Sequence, residues 1–283
     1  MNSQNLPILN KTTKETLLQK LLRDNYKWYF LLRFRLKSRS VSSWDSVFFV
    51  IGHFLILVGT LLTWWLASGK IIDSNLREKF SYFIIGELFF SLTFTFAEFM
   101  GFEFLRGSHN ADLLKPQDYI KMKFVSYYGE ALLQNLTKFI ILLIFVFILA
   151  QSRLISPNFY SFFLNIIYLP IPLFILFFTG FIVACSGFFL KAINGITLNY
   201  TFLSSLLMGR SFPLNLLIDN FWLNLANPFA FAFYHPMQIY LGKYDNFQTI
   251  LVFFGGISWC ILLYFLARFV FKMGLKRNES VGL

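Results

Sequence analysis

Four ionisable residues sit inside otherwise apolar runs: Glu87, Glu98, Glu130 and Lys138. Charged groups in lipid are costly and as a rule face a bundle interior or a water-filled path. Glu87 and Glu98 are eleven residues apart, close to three helical turns, so one unbroken helix places them on one face. Gln134 lies between Glu130 and Lys138 at helical spacing. Two readings stand side by side. In one, these groups line a polar path or form a buried pair such as Glu98–Lys138. In the other, Glu130 lies near the inner headgroups and Glu87 near the outer ones. The acids are not stacked closely enough for a proton relay.

Signs of covalent chemistry are lacking. There is no Gly-x-x-x-x-Gly-Lys-Ser/Thr loop to cradle ATP and no His-Glu-x-x-His pair to hold zinc. His53, His109 and His235 lie on different segments, a poor start for a metal site, and none is expected. Cys185 and Cys260 both sit in apolar runs and are expected to be small packing residues. The sequons at Asn10, Asn135, Asn199 and Asn278 fall in segments expected to be cytoplasmic or spanning, so they are discounted.

The elements that would position these residues are membrane helices. The chain is 57% hydrophobic and carries 39 phenylalanines, more apolar surface than a soluble domain of 283 residues can hide. The segment 47–67 is uncharged and long enough to cross a hydrocarbon layer of ~30 Å. The pattern predicts an all-α integral membrane protein with six transmembrane helices, near 47–67, 80–104, 124–150, 159–190, 192–208 and 247–271. Pro170 and Pro172 predict a kink or break in the fourth. The stretch 211–245 holds Pro213, Pro228, Pro236 and Gly242, too interrupted to cross straight, and is expected to form re-entrant outer helices. Before the first span, Leu17, Leu18, Leu21, Leu22, Trp28, Tyr29 and Leu32 alternate with basic residues at helical spacing. That pattern predicts an amphipathic interfacial helix, opened by a capping box at Thr12 and Glu15. The organisation is therefore 1–46 as a cytoplasmic N-terminus, 47–271 as the membrane domain and 272–283 as a cytoplasmic tail.

Charge sets the expected orientation. Nine basic residues precede the first span, four more lie between spans two and three (Arg106, Lys115, Lys121 and Lys123), and Arg268, Lys272, Lys276 and Arg277 mark the C-terminal end. Positive segments stay inside, so both termini are expected to be cytoplasmic, in a multi-pass protein of the cell inner or plasma membrane. The net charge of +11 follows from these flanks, and no nucleic-acid partner is expected. No signal peptide is visible in the basic first forty residues.

The polar stretch 105–123 carries Arg106-Gly107 followed by Leu113-Leu114-Lys115-Pro116. This resembles a signature of the ABC-2-type permeases, the membrane-spanning subunits of ABC exporters. Gly209-Arg210-Ser211-Phe212-Pro213-Leu214, Asn227-Pro228-Phe229, Tyr234-His235-Pro236, Leu241-Gly242-Lys243 and the ending 274–282 resemble the same family. The departures are Lys115, where arginine is commoner, and spans unusually rich in phenylalanine.

The resemblance implies a division of labour. Such permeases pair as homo- or heterodimers in membrane lipid, and separate ABC ATPase subunits dock beneath them, so ATP and Mg belong to the partner and this chain binds no cofactor. The loop 105–123 would act as the coupling helix, with Arg106, Gly107, Leu113, Leu114, Lys115 and Pro116 meeting the ATPase. The implied function is an exporter permease, not an enzyme. The alternatives are a non-transporting membrane scaffold or assembly factor and, further off, a lipid-modifying membrane enzyme, for which clustered acids or histidines are lacking. A phenylalanine-rich path would suit lipids, amphipathic peptides or apolar drugs, but the same residues also suit a lipid-facing surface.

Overall fold

Helices make up the architecture, with no strand among the described residues. The structure is a computed structural model that describes Tyr29, Leu32 and residues 43–93, 97–152, 154–155 and 158–279. The expected amphipathic helix of the N-terminus falls almost wholly outside these residues, as do residues 280–283 at the end of the chain.

The first helix, α1 (Ser43–Ala67), is long and apolar and lies mostly free of the rest of the chain. Phe48, Leu55 and Ile56 on it are all more than 60% exposed, which only an apolar solvent tolerates over a whole helix. After a short turn, α2 (Ser74–Phe90) starts at Asp73, whose carboxylate accepts from the Leu76 backbone N–H at 2.8 Å.

The helix then breaks. The Ser91 hydroxyl donates to the Leu88 carbonyl at 2.6 Å and Thr93 donates to Phe90 at 2.7 Å, so side chains take over acceptors that an unbroken helix would satisfy. The chain resumes as α3 (Ala97–Arg106) and, after a turn, α4 (Asn110–Leu113). The break removes the single helix on which Glu87 and Glu98 would share a face.

The next element, α5 (Tyr119–Gln151), is bent by 49° between Tyr119–Leu132 and Asn135–Gln151, with neither proline nor glycine at the bend. Its first turn is capped by Asp118. The helices α6 (Phe159–Tyr168) and α7 (Pro170–Ala184) meet at Leu169, where the expected break falls: Pro170 has no N–H to donate and opens the new helix. A 3-10 turn over Cys185–Phe188 follows.

Then come α8 (Asn194–Leu207), two 3-10 turns and two short helices within the interrupted stretch, α9 (Phe221–Ala226) and α10 (Tyr234–Tyr240), and the long α11 (Asn246–Glu279). Asp245 and Gln248 cap α11 reciprocally. This helix runs through Glu279, so the predicted tail from 272 begins as helix.

Among the described residues, three helical segments are long and apolar enough to cross a membrane, Val50–Ala67, Phe159–Phe188 and Asn246–Arg277, and the bent α5 makes a fourth if counted as one span. α8 has fourteen residues, ~21 Å of rise.

At the centre lies α7, with Ile175, Leu176, Phe177 and Phe181 fully buried. It packs against α3, α11 and the Pro228–Ala232 turn. Helices in lipid gain little from excluding water, so close packing must hold them together. The tightest approach of backbone to backbone at a glycine is at Gly187: a Cβ there would lie 2.5 Å from the Gly101 carbonyl oxygen of α3. Gly187→Ala is therefore expected to push the turn off α3 and lower stability by about 1–3 kcal/mol. A lower midpoint in detergent thermal unfolding would register it.

The segments expected on one side of the membrane gather at one end. Arg268 of α11 pairs with Asp118, Arg277 lies 5.4 Å from the Phe189 ring, and Phe104 stacks on Phe188 at 4.5 Å. At the other end Lys243 pairs with Glu78 at 2.9 Å, and the Asn158 N–H donates to the Tyr240 hydroxyl at 3.3 Å.

Candidate functional site

The loop between α3 and α5 is held by a compact set of charges. Lys123, only 5% exposed, reaches the carboxylates of Glu103 and of Asp112, the latter at 2.7 Å. The Tyr127 hydroxyl donates to the other Glu103 oxygen at 2.8 Å, and Lys115 donates to Asp112 at 2.5 Å. The Tyr119 and Tyr127 rings flank the Lys123 ammonium at 5.3 and 5.9 Å. A lysine this buried is tolerable only because two carboxylates face it. Together these contacts tie α3, α4 and the start of α5 into one unit.

His109 closes the loop from within. It is buried against the edges of Phe104 and Phe188, with Nδ1 at 3.3 Å from the Glu103 carbonyl oxygen. Gly107 provides the turn into α4, with φ at +71°, a conformation that disfavours any side chain.

This frame presents two apolar residues outward. Leu114 is 89% exposed and Leu113 is 37% exposed, and both stand beside the exposed Arg106, Lys115 and Pro116. The six expected coupling residues thus lie on one contiguous loop, and the apolar pair has not folded back onto the bundle.

The loop has a built-in acid sensitivity. Burial disfavours the charged His109 and lowers its pKa, against the opposing pull of the Glu103 carbonyl. Burial raises the Asp112 pKa, but its bonds to Lys115 and Lys123 outweigh this and the net shift is downward. Both shifts act in one direction with pH. His109 favours the folded loop while the unfolded imidazole stays neutral, and that gain fades as pH falls below the ordinary histidine value of about 6.5. Asp112 stabilises above the ordinary carboxylate range, and its gain goes as pH falls through its lowered value. Amide exchange over 108–114, corrected for intrinsic rates, is expected to speed up as pH falls from about 7 to 5. A flat profile would contradict this assignment.

A second polar cluster lies within the membrane region. Glu87 of α2 accepts two hydrogen bonds from Arg210, at 2.5 Å from Nε and 3.0 Å from the terminal nitrogen. The Arg210 guanidinium also lies 4.4 Å from the Phe90 ring. Lys138, 4% exposed, lines the same small cavity as Glu87 and His53. The carboxylate facing Lys138 is therefore that of Glu87. Glu98 is exposed on α3, beyond the helix break, so the Glu98–Lys138 pair expected from the sequence gives way to a Glu87–Lys138 neighbourhood. Glu130 is half-buried on α5.

Sequence reasoning passed over Glu103, Asp112, Tyr127 and the role of Arg210. Only Asp112–Lys115 carries a local signal, an i,i+3 pair of opposite charge. Arg210 and Glu87 are separated by 123 positions and become neighbours only when the turn after α8 comes beside α2.

The profile of the family described as ABC-2 family transporter protein matches residues 54–282. No curated protein and no solved structure matches the chain. The matched span covers the loop 105–123, the Glu87–Arg210 cluster and the interrupted stretch before α11. The chain belongs to the ABC-2 transporter family, the membrane permease component of ABC transporters, which is not itself an enzyme and implies an ABC ATPase partner.

Proposed function

We propose that this chain is the permease subunit of an ATP-driven exporter in a cytoplasmic-type membrane. It crosses six times, with both termini inside, and lines the translocation path together with a second permease chain. ATP is hydrolysed in separate subunits docked beneath the loop 105–123. The broken α2–α3 and the short α8 serve as the second and fifth crossings.

The observation that carries this reading is the outward Leu113-Leu114 pair on a braced loop. In water these side chains gain nothing, whereas in a partner's groove each could contribute ~1.5–3 kcal/mol. Bracing matters because a loop that is already ordered loses less entropy on docking. The intramembrane charges support a mechanism with two conformations, since a Glu87–Arg210 link between α2 and the turn after α8 must survive or exchange partners as the path opens. ATP shifts such an equilibrium only through different affinity for the two states.

The test is twofold. Purification of the tagged chain in mild detergent should bring an ABC ATPase with it, and its repeated absence would favour the scaffold reading. Cysteines placed at Ser74 and Ser108 should separate by side. An impermeant reagent is expected to label Ser74→Cys and spare Ser108→Cys in intact cells. Labelling at Ser108→Cys would overturn the topology.

A further inference from the structure

At the end of the bundle opposite the loop, a cavity of about 390 Å³ opens between α2, the Leu214–Leu216 turn, α9, α10 and the start of α11. Its lining is unlike the apolar surface around it. Asn75, Asn215, Asn220, Asn224, Gln238 and Gln248 line it. The charges in its wall balance, with Glu78 and Asp219 against Lys79 and Lys243. Two of the four are already engaged, since Lys243 donates to Glu78 at 2.9 Å. Lys79 lies 4.4 Å from the Trp64 ring.

The wall is fixed from behind. His235 is fully buried, with Nδ1 2.8 Å from the Tyr244 hydroxyl and Nε2 3.1 Å from the Asn224 carbonyl oxygen. That one imidazole joins two wall residues from separate elements. Tyr82 donates to the Gly209 carbonyl at 2.7 Å, and the rings of Phe221 and Tyr244 meet edge to face at 5.5 Å.

One wall residue stands out. Gln238 is only 7% exposed overall and lines the cavity, so the cavity is where its amide is open to a hydrogen-bonding guest.

The chemistry of the lining selects the occupant. Balanced charge gives a strongly charged ion no net attraction, and a polar wall does not suit an acyl chain. Amides donate and accept at once, as hydroxyl groups do, so the two pair in either sense. Aromatic rings beside them offer an apolar face for C–H groups. We propose that this cavity is a binding site for a neutral polyhydroxylated group, a glycosyl unit of one or two sugar rings. The same chemistry comes from a free glycan or from the headgroup of a glycolipid.

The test uses the full chain in phosphatidylcholine nanodiscs, which open both faces, so the result depends neither on the topology nor on an ATPase. The free probes are maltose, lactose and chitobiose, read by saturation-transfer NMR. The lipid probe is monoglucosyl diacylglycerol placed in the disc, read by native mass spectrometry. Tetramethylammonium and inorganic phosphate are the charged controls. Binding of a free disaccharide points to a free glycan, and retention of the glycolipid alone points to a headgroup. In either case Gln238→Leu should weaken binding at least tenfold. Asn215→Ala, at an exposed position, should do the same and decides the matter if Gln238→Leu does not fold. Binding of neither sugar class, tighter binding of a charged control, or binding that survives the substitutions would overturn the proposal.

Discussion

Glu87→Gln is expected to be among the most damaging single substitutions in the membrane domain, lowering stability by roughly 3–5 kcal/mol. The reason is what it leaves behind. Arg210 loses its two-point acceptor, and the nearby Lys138 loses the negative charge that it faces. Two cations then share a low-dielectric region without the Glu87 carboxylate. Arg210→Lys is not a rescue, because an ammonium cannot replace the two parallel bonds or lie flat on the Phe90 ring. Combining Glu87→Gln with Arg210→Gln should recover part of the loss by removing one of the two cations. Glu98→Gln, at an exposed position, should change stability by only about 0.5 kcal/mol. Thermal unfolding of the purified variants in one detergent ranks them. Equal losses for Glu87→Gln and Glu98→Gln would refute the assignment of the buried acid.

That contrast marks where the sequence informs and where it does not. Periodicity and apolar length locate helices well, because a membrane leaves the backbone few alternatives. The break at Leu169 follows from Pro170, and the interrupted stretch 211–245 follows from its prolines and Gly242. The break after Phe90 was not readable. Its cause is Ser91 and Thr93 bonding to the last carbonyls of α2, and serine or threonine in an apolar run is as often compatible with an unbroken helix. That one missed break displaced Glu98 from the face of Glu87.

The site divides in the same way. Gly107, Leu113, Leu114 and Pro116 are local features of one loop and could be picked out by type and spacing. What braces them is not local. Glu103 and Lys123 are twenty positions apart and meet because α3 and α5 lie side by side. Likewise the fully buried His109 looked like one of three scattered histidines, and its role emerges only from the aromatic wall around it.

The second large effect concerns that loop. Leu113→Asp with Leu114→Asp is expected to abolish docking of the ATPase while leaving the bundle intact. Leu114 is almost fully exposed and Leu113 partly so, so the change removes little internal packing at the first and only part of it at the second. Neither lies within the Glu103–Lys123–Asp112 set, so the loop should keep its shape. At a docked surface the same change replaces ~3–6 kcal/mol of apolar burial by two carboxylates that must lose their water. A loss of that size corresponds to a factor of at least 100 in affinity.

The decisive measurement is therefore co-purification of the ABC ATPase with the tagged double variant, alongside ATP hydrolysis in the same reconstituted membranes. The expected result is a variant that inserts and keeps its size in detergent, yet brings down no ATPase and shows no permease-dependent hydrolysis. Normal ATPase recovery with the double variant would contradict the coupling role of the loop 105–123.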